Sequence, residues 1–237
     1  MVQPSEIADL RRLFSEGGNS LFQNIRRDIR LIKESDPAAR NAVEILLTYP
    51  SLRAIRCYRL AHMFYKRKMF TTARIISQWA RSKTGIEIHP GAVIGKGLFI
   101  DHGMGVVIGE TAVIGDNCLL YQGVTLGGTG KDKGKRHPTL GNNVLVGAGA
   151  KVLGPFTVGN NVKIAANAVV LNAIPDDCTA VGVPARVVRH KGKKINNCHK
   201  VTQDIDQIHI PDPVSQELCR LQAEVDSLKK ELEELKK

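Results

Sequence analysis

The sequence predicts an α+β protein in which an N-terminal α-helical bundle precedes a solenoid of short β-strands and a C-terminal coiled-coil helix. Three successive periods of apolar residues predict this order: a helical period up to about Lys83, a period of six from Ile88 to Val170, and a heptad period from Leu218 to Leu235. Spacings of three and four residues indicate amphipathic helices, whereas an even period places side chains on one side of an extended chain. We therefore expect three structurally different parts.

The N-terminal part carries apolar residues at helical spacing, with helix-breaking pairs at Asp36-Pro37 and Tyr49-Pro50. The helical period ends at Gly85, and the change that follows is abrupt enough to indicate a domain boundary. We expect a helical domain over residues 1–85, a solenoid domain over 86–190, a polar linker over 191–213 and a C-terminal helix over 214–237.

The middle of the chain repeats an aliphatic residue every six positions. These residues are Ile88, Ile94, Ile100, Ile108, Ile114, Leu120, Leu126, Leu140, Val146, Val152, Val158, Ile164 and Val170. Three places after nine of them stand residues that enter left-handed backbone conformations at low cost, namely Gly91, Gly97, Gly103, Asn117, Gly123, Asn143, Gly149, Asn161 and Asn167. Short strands joined by tight corners predict a β-solenoid whose coils stack their aliphatic side chains.

Two interruptions break this repeat. A two-residue slip lies between Ile100 and Ile108, beside Asp101 and His102, and a polar insertion occupies residues 127–139. A local bulge re-aims the side chains beside it. We therefore expect the slip to direct the Asp101-His102 corner out of the stack.

The C-terminal segment repeats leucine and valine at alternating spacings of three and four residues. With Leu218 at heptad position a, Glu224 stands at position g and Lys229 at position e, so parallel copies of the chain would face opposite charges. The pattern favours self-association. A solvated helix packed on its own subunit is the alternative, because about three heptads form only a marginal helix alone.

Charge and composition exclude several classes of function. The net charge of +11 is concentrated in residues 1–85, which carry +9, but the sequence has no zinc-finger spacing and no aromatic RNA-binding motif. No segment approaches the roughly 18 apolar residues of a membrane span, and the first residues do not form a signal peptide. We expect a cytoplasmic protein that binds neither nucleic acid nor membranes. Its five cysteines form no CxxC pair, so they predict neither disulfides nor a cysteine zinc site.

Three histidines lie at or beside irregularities of the solenoid: His89, His102 and His137. A zinc site made by these three is one interpretation. Their separations of 13 and 35 residues do not match the histidine pair five residues apart in solenoid carbonic anhydrases, so we expect no metal.

Several motifs together resemble one enzyme family. The stretch IHPGAVIGKGLFIDHGMGVVIGETAVIGDN, followed by VTLGGTG, KRHP, VGAGAKVLG and GVPARVV, is similar to the serine O-acetyltransferases among the hexapeptide-repeat acyltransferases. The resemblance runs from about Asp36 to Arg189. It implies a left-handed parallel β-helix and the transfer of an acetyl group from acetyl-CoA to the hydroxyl of L-serine, a step of cysteine biosynthesis.

The resemblance also assigns the catalytic pair. A serine hydroxyl needs a base to take its proton as it attacks a thioester, and His102 matches that base. Glu87 matches the carboxylate that orients the histidine ring, where the family more often has aspartate. One turn of three repeats is 18 residues, so a separation of 15 is expected to bring Glu87 and His102 near each other on adjacent coils.

The remaining site residues follow from the same resemblance. Asp36 and Asp101 match carboxylates that bind the substrate ammonium group, and Arg136 and His137 match the clamp on its carboxylate. Read locally, Asp36 before a proline is also a helix N-cap. Positions that match the family's acetyl-CoA groove are Gly128, Thr129, Ala148, Lys163 and Ala166, of which Lys163 could equally be a solvated lysine.

The family further implies a homotrimer with active sites between neighbouring solenoids, and feedback inhibition by L-cysteine. With about 35 residues before Asp36, we expect a single trimer clasped by the heptad tail. A terminal isoleucine is the family's docking signal for O-acetylserine sulfhydrylase, and Lys237 in last place argues against that complex. Two other functions stay open: acetyl transfer to a different hydroxyl or amine acceptor, and a non-catalytic trimeric scaffold.

Overall fold

The computed structural model describes residues 26, 28–34, 36–128, 130, 133–194, 221, 222, 224, 225 and 227–229. Within these residues, four helices precede the first strand: α1 includes residues 28–34, and α2 (Ala42–Thr48), α3 (Pro50–Lys66) and α4 (Phe70–Thr84) follow. The Asn41 side chain caps α2 by accepting the Glu44 N–H at 2.8 Å. Pro50 occupies the first turn of α3, and Gly85, at φ 71°, ends α4.

The rest of the described chain consists of very short strands. They are β1 (Glu87–Ile88), β2 (Val93–Ile94), β3 (Phe99–Ile100), β4 (Val107–Ile108), β5 (Val113–Ile114), β6 (Leu119–Leu120), β7 (Thr125–Gly127), β8 (Thr139–Leu140), β9 (Leu145–Val146), β10 (Lys151–Leu153), β11 (Thr157–Val158), β12 (Lys163–Ile164), β13 (Val169–Val170), β14 (Cys178–Val181), β15 (Arg186–His190) and β16 (Lys193–Lys194).

Every third strand pairs in parallel, which produces a three-sided left-handed β-helix. Face A contains β1, β4, β7, β10 and β13, and face B contains β2, β5, β8 and β11. Face C contains β3, β6, β9, β12 and β14, and is extended by the antiparallel strands β15 and β16. The α+β fold with N-terminal helices and a left-handed β-helix is therefore confirmed.

The predicted aliphatic repeat forms the core of the β-helix. All 13 residues occupy the second position of a strand. Twelve of them are at most 4% exposed, and Ile94 is partly buried against the same cluster. Parallel register stacks each one on its counterpart in the next coil, as Ile88 on Ile108 and Ile108 on Leu126. Burial of these stacked side chains supplies the main stabilising free energy of the solenoid.

The predicted corners are also present, with one difference. Eight of the nine Gly and Asn positions have φ between 55° and 80°, as expected for left-handed corners. Gly91 is the exception, and it is required for space instead: a Cβ there would lie 2.9 Å from Cζ of Tyr65. The glycine lets the end of α3 approach the first coil.

The two interruptions of the repeat change the length of the coils. In the first coil Glu87 pairs with Val107, twenty residues later, whereas Val107 pairs with Thr125, eighteen residues later. The insertion lengthens the next coil on face B, where Val113 pairs with Thr139, twenty-six residues later. The extra residues therefore form longer connections at two corners, one between β3 and β4 and the other between β7 and β8.

Helices α3 and α4 cover the open end of the first coil. Side chains of these helices satisfy backbone groups that have no neighbouring strand: the Ile100 N–H donates to Ser51 Oγ, and the Ile88, Ala92 and Pro90 carbonyls accept from Ser77 Oγ, Tyr58 OH and His62 Nδ1. An uncovered sheet edge would expose unpaired donors and acceptors. The cover fixes the helices against the β-helix at several separate points.

Several predictions lie partly outside this picture. Leu221, Val225 and Leu228 are helical and between 43% and 58% exposed, while Leu218, Leu232 and Leu235 lie outside the described residues. The coiled coil and the boundaries of the four domains stay predictions. Among the helices that the structure describes, none has the length and apolar character to cross a membrane.

Candidate active site

Four of the predicted catalytic and substrate-binding residues fall at two corners of face A. Asp101 and His102 lie between face C and face A, in what we call the His102 corner (residues 101–106). Arg136 and His137 lie between face A and face B; with Glu110 and Thr111 they form what we call the Arg136 corner. At about 3.3 Å per extended residue, one side of the prism spans roughly 15–20 Å. Within one chain the two corners are too far apart to surround a single amino acid.

The backbone of the His102 corner contains the extra residues of the slip. The Gly103 N–H donates to the Asp101 carbonyl at 2.6 Å, and the Gly105 N–H donates to the Gly85 carbonyl at 2.9 Å. These bonds hold His102 at φ 55°, a left-handed conformation that few residues with a Cβ adopt. The His102 side chain is exposed and points away from the buried stack. The corner thus presents an accessible imidazole on a constrained backbone.

Asp36 comes from the helical part and lies close to this corner. Its Oδ1 accepts the Ala38 N–H at 2.8 Å, and its Oδ2 accepts the hydroxyl of Tyr49 at 2.5 Å. The Tyr49 hydrogen bond, then the Ala38 N–H, lowers the pKa of Asp36, and the field of His102 adds to this effect. The fold therefore brings three predicted residues together: Asp36, Asp101 and His102. The helix N-cap interpretation of Asp36 is wrong, because Asn41 caps α2.

Tyr49 is bonded to Asp36 and lies within the electrostatic field of Asp101. Its hydrogen bond to Asp36, followed by burial, raises its pKa to about 12, and the negative charge of Asp101 contributes in the same direction. Tyr49 is consequently a hydrogen-bond donor at every physiological pH.

Glu87 lies beside the same corner but has other partners. Its carboxylate is 3.2 Å from Arg81 Nη1 and 4.0 Å from Arg74 Nη2, both on α4. Within the described residues no hydrogen bond or ion pair joins Glu87 to His102, and the longer first coil puts Val107 opposite Glu87. Glu87 and the slip residues Met104 and Gly105 line one groove of about 510 Å³. Glu87 thus faces open space next to the corner.

The Arg136 corner is closely bonded on every side. Arg136 Nη2 donates to Glu110 Oε2 at 2.5 Å, and the Tyr65 hydroxyl of α3 donates to Glu110 Oε1 at 3.0 Å. The hydrogen bond from Arg136 lowers the pKa of Glu110, so this carboxylate stays charged. Lys135 Nζ donates to the Thr111 carbonyl at 2.7 Å. Together these bonds fasten the end of the insertion to the next coil.

Thr111 and His137 complete this corner. The Thr111 hydroxyl accepts the N–H groups of Arg136 and His137 at 3.0 and 3.1 Å, and its oxygen lies 2.9 Å from His137 Nδ1. The Thr111 N–H also donates to Nδ1, so the neutral ring carries its hydrogen on Nε2. His137 packs so closely on Gly109 that a Cβ there would overlap the ring. A buried neutral imidazole whose Nε2–H has no acceptor among the residues that the structure describes is suited to binding a carboxylate.

His89 lies near this corner without joining its network. Its ring packs edge-on against Tyr65, and its Nδ1 accepts the Gly91 N–H at 3.0 Å. Burial lowers the pKa of both His89 and His137, which favours their neutral forms. Over the part of the chain that the structure describes, no group of three or more His, Cys, Asp or Glu side chains could hold a metal ion.

The residues predicted for the acetyl-CoA groove are distributed over both corners. Ala148 and Ala166 lie on successive coils at the same edge of the β-helix as the His102 corner, separated from it by the coil that contains residues 121–124, and Lys163 begins β12 on the adjoining face C. Gly128 lies at the Arg136 corner, where a Cβ would be 3.0 Å from the Arg136 carbonyl oxygen. Thr129 lies outside the described residues.

Three residues of this region were not assigned a role from the sequence: Tyr49, Glu110 and Thr111. Glu110 and Thr111 belong to the GETAVIG motif. An acidic residue and a hydroxyl residue at a corner of the repeat could have indicated from the sequence that these two positions belong to the site. Tyr49 gave no such signal, because an aromatic residue before a proline at a helix start is common.

Comparison with known proteins agrees with this architecture. Residues 137–172 match the family described as bacterial transferase hexapeptide (six repeats). A serine acetyltransferase of Bacillus pumilus is 53% identical over 214 residues, which cover 90% of this chain and 96% of that protein.

Two solved structures share the fold. Soybean serine acetyltransferase complexed with serine has a TM-score of 0.71 at 42% identity, covering 75% of this chain and 72% of that one. Serine acetyltransferase isoform 3 of Entamoeba histolytica, in complex with cysteine, has a TM-score of 0.66 at 44% identity, covering 69% and 59%. With its hexapeptide coils, its two polar corners and this level of identity over nine tenths of its length, the chain belongs to the serine acetyltransferase family of acyltransferases.

Proposed function

We propose that this protein transfers the acetyl group of acetyl-CoA to the hydroxyl of L-serine, giving O-acetyl-L-serine and CoA. The observation that carries the proposal is the His102 corner, where an accessible imidazole lies beside the carboxylates Asp36 and Asp101. An amino acid held by its ammonium group at these carboxylates would place its side-chain hydroxyl near a base. The serine-bound soybean relative supports this choice of acceptor.

In this proposal His102 is the general base. It takes the proton of the serine hydroxyl as the oxygen attacks the thioester carbonyl, and the imidazolium then protonates the departing CoA thiolate. Glu87 is the proposed orienting carboxylate, and it lines the groove beside the His102 corner. Because its carboxylate is paired with Arg81, it must bind His102 in addition to Arg81 or in place of it. A second partner on the ring fixes its tautomer and supports its positive charge.

Arg136 and His137 are proposed to bind the substrate carboxylate. Arg136 keeps donors beyond the one that it gives to Glu110, and the Nε2–H of His137 adds another. Because these residues lie one prism side away from His102, the clamp must come from a neighbouring subunit. This division of the site supports a homotrimer with active sites between solenoids.

Acetyl-CoA is proposed to lie along the corner below His102. Ala148 and Ala166 have small side chains there that let a pantetheine arm approach the backbone, and Lys163 is the candidate partner for phosphates. Gly128 and Thr129 are proposed contacts on the neighbouring subunit's side. L-Cysteine, bound in the Entamoeba relative, is the proposed feedback inhibitor of the serine site.

The deciding experiment measures CoA release from acetyl-CoA with L-serine, with a panel of other hydroxyl and amine acceptors, and with L-cysteine added. We expect release that depends on L-serine and falls when L-cysteine is present. Equal or faster release with another acceptor would replace L-serine in the proposal. No release with any acceptor would favour the scaffold interpretation. Truncation after residue 213, followed by mass measurement in solution, tests whether the heptad tail clasps the trimer.

A further inference from the structure

Tyr49 links the helical part of the chain to the His102 corner. Its hydroxyl donates to Asp36 Oδ2 at 2.5 Å, while the Ala38 N–H donates to Oδ1 at 2.8 Å. Both carboxylate oxygens of Asp36 therefore have a donor of this chain. A carboxylate offers about four lone-pair sites, so two remain for a ligand. The two bonds fix the plane of the carboxylate and leave it able to accept more hydrogen bonds.

The Tyr49 ring is itself held in place. It packs against the small apolar cluster of Ile32, Ile45, Leu52 and Phe99, which joins the helices to strand β3. Tyr49 is also the residue at which α2 ends and α3 begins, with an extended backbone at φ −77° and ψ 113°. Contact with this cluster limits the rotation of the ring.

A second attachment lies two residues further along the chain. Ser51 is 1% exposed, and its Oγ accepts the Ile100 N–H at 3.3 Å. Ile100 directly precedes Asp101, so the start of α3 is bonded to the strand that leads into the His102 corner. The position of the Tyr49 hydroxyl is thus tied to the same backbone that presents Asp101 and His102.

We propose that Tyr49 is a positioning residue for substrate binding, which holds the Asp36 carboxylate beside the His102 corner in the orientation that receives the substrate ammonium group. The proposal rests on the function proposed above. Tyr49 touches neither reacting atom; it acts through Asp36. The aspartate otherwise sits in the exposed turn between α1 and α2, and a free carboxylate there would have to be ordered each time a substrate binds.

The electrostatics agree with this role. Hydrogen bonding to Asp36 raises the pKa of Tyr49 to about 12, so the hydroxyl keeps its proton and stays a donor. The same bond lowers the pKa of Asp36 and keeps it negatively charged. A negative carboxylate is the form that binds an ammonium group.

The test is Tyr49→Phe, which removes the hydroxyl and keeps the ring in its apolar cluster. We expect the KM for L-serine to rise about tenfold, as for the loss of one hydrogen bond to a charged group, with kcat within about twofold of wild type. The KM for acetyl-CoA should be unchanged. The Kd of L-serine, measured by calorimetry, should rise by the same factor as its KM.

Tyr58→Phe is the matched control. Tyr58, on α3, is likewise a tyrosine whose pKa is raised to about 12, by burial, but its hydroxyl donates to the Ala92 carbonyl at 2.7 Å, away from Asp36. This variant should lower thermal stability and leave the KM for L-serine unchanged. Asp36→Ala supplies the coupling test: adding Tyr49→Phe to it should change the KM for L-serine no further.

Three results would overturn the role of Tyr49: a change of less than twofold in the KM for L-serine, an equal effect of Tyr58→Phe, or a full effect of Tyr49→Phe in the Asp36→Ala background. Failure of the proposed function looks different. Wild-type protein that binds L-serine without transferring acetyl refutes the transfer reaction, and the Kd series still decides the role of Tyr49. Wild-type protein that does not bind L-serine overturns both.

Discussion

The His102 corner and the Arg136 corner are built in opposite ways. At the Arg136 corner, side chains and N–H groups of the β-helix bond one another, and α3 adds the Tyr65 hydroxyl. His137 there is only 8% exposed. At the His102 corner the backbone is constrained but the imidazole is exposed, and the nearest supporting carboxylate, Asp36, comes from the helical part.

This difference matches what each corner is proposed to do. A clamp for a carboxylate gains from donors that are ordered before the ligand arrives, because no side-chain entropy is then lost on binding. A general base must reach the reacting hydroxyl and exchange its proton, so it needs access. Changes at the two corners should therefore alter different kinetic constants.

The largest expected effect is at the exposed corner. His102→Ala removes the proposed base, and we expect kcat to fall by about 10²–10⁴-fold with little change in the KM for L-serine. Because the side chain is exposed and makes no core contact, the melting temperature should stay near that of wild type. CoA release and thermal unfolding measure the two quantities. Activity that survives this change would remove His102 from the mechanism.

A smaller effect, of a different kind, is expected at the Arg136 corner. Thr111→Val keeps the shape of the side chain but removes the acceptor of the Arg136 and His137 N–H groups. We expect the KM for L-serine to rise about tenfold and the free energy of unfolding to fall by about 1–3 kcal/mol, because two part-buried N–H donors lose their acceptor. Thr111→Ser keeps the hydroxyl and serves as the control. Valine and serine variants with equal KM values would argue against this network.

The burial of His137 at the Arg136 corner should make the protein less stable as the pH falls. Burial lowers the pKa of His137 in the folded protein, so below the ordinary value of about 6.5 the unfolded chain binds a proton that the folded chain does not. Stability is therefore fully present above pH 6.5 and is lost as the pH falls towards the folded-state pKa. Urea unfolding at pH 7.5, 6.5 and 5.5 gives the free energy of unfolding of wild type and of His137→Gln. The free energy should fall more steeply with decreasing pH in wild type. An identical pH dependence in the two proteins would contradict the role of His137.

The smallest expected effect concerns the attachment between helices and β-helix. Ser51→Ala leaves the buried Ile100 N–H without its acceptor, which should cost about 1–2 kcal/mol and lower the melting temperature by a few degrees. Ser82→Ala is the matched control, since the exposed Ser82 hydroxyl only bonds the Trp79 carbonyl of its own helix. Calorimetry of both variants decides the point, and equal melting temperatures would show that the Ser51 bond is energetically neutral.

The regular part of the fold was readable from the sequence because its interactions are local and repeated. Val152 is buried and stacks on Val170, its counterpart in the next coil. Because equivalent aliphatic residues recur in this way, their period of six is visible without knowledge of the rest of the chain. The breaks at Asp36-Pro37, Tyr49-Pro50 and Gly85 were equally visible, because proline and glycine act on their own backbone.

The sequence was less informative about which residues meet. A separation of 15 residues made a bond between Glu87 and His102 plausible, but the Glu87 carboxylate pairs with Arg81 of α4. The two extra residues of the slip also set Val107, rather than residue 105, opposite Glu87. The bond between Tyr49 and Asp36, and the one between Tyr65 and Glu110, join segments 13 and 45 residues apart with no period between them.

The sequence by itself thus determined the order of the parts, the β-helix and its core, the unusual corner at His102, and the identity of the polar residues that resemble the family's site. Only the tertiary structure decided that Asp101 and His102 lie at one corner of face A and Arg136 and His137 at the other, and that Asp36, bonded to Tyr49, lies near His102. The physical reason is that a repeat records the contacts of each coil with the next, whereas contacts between a helix and a corner depend on how two different surfaces pack.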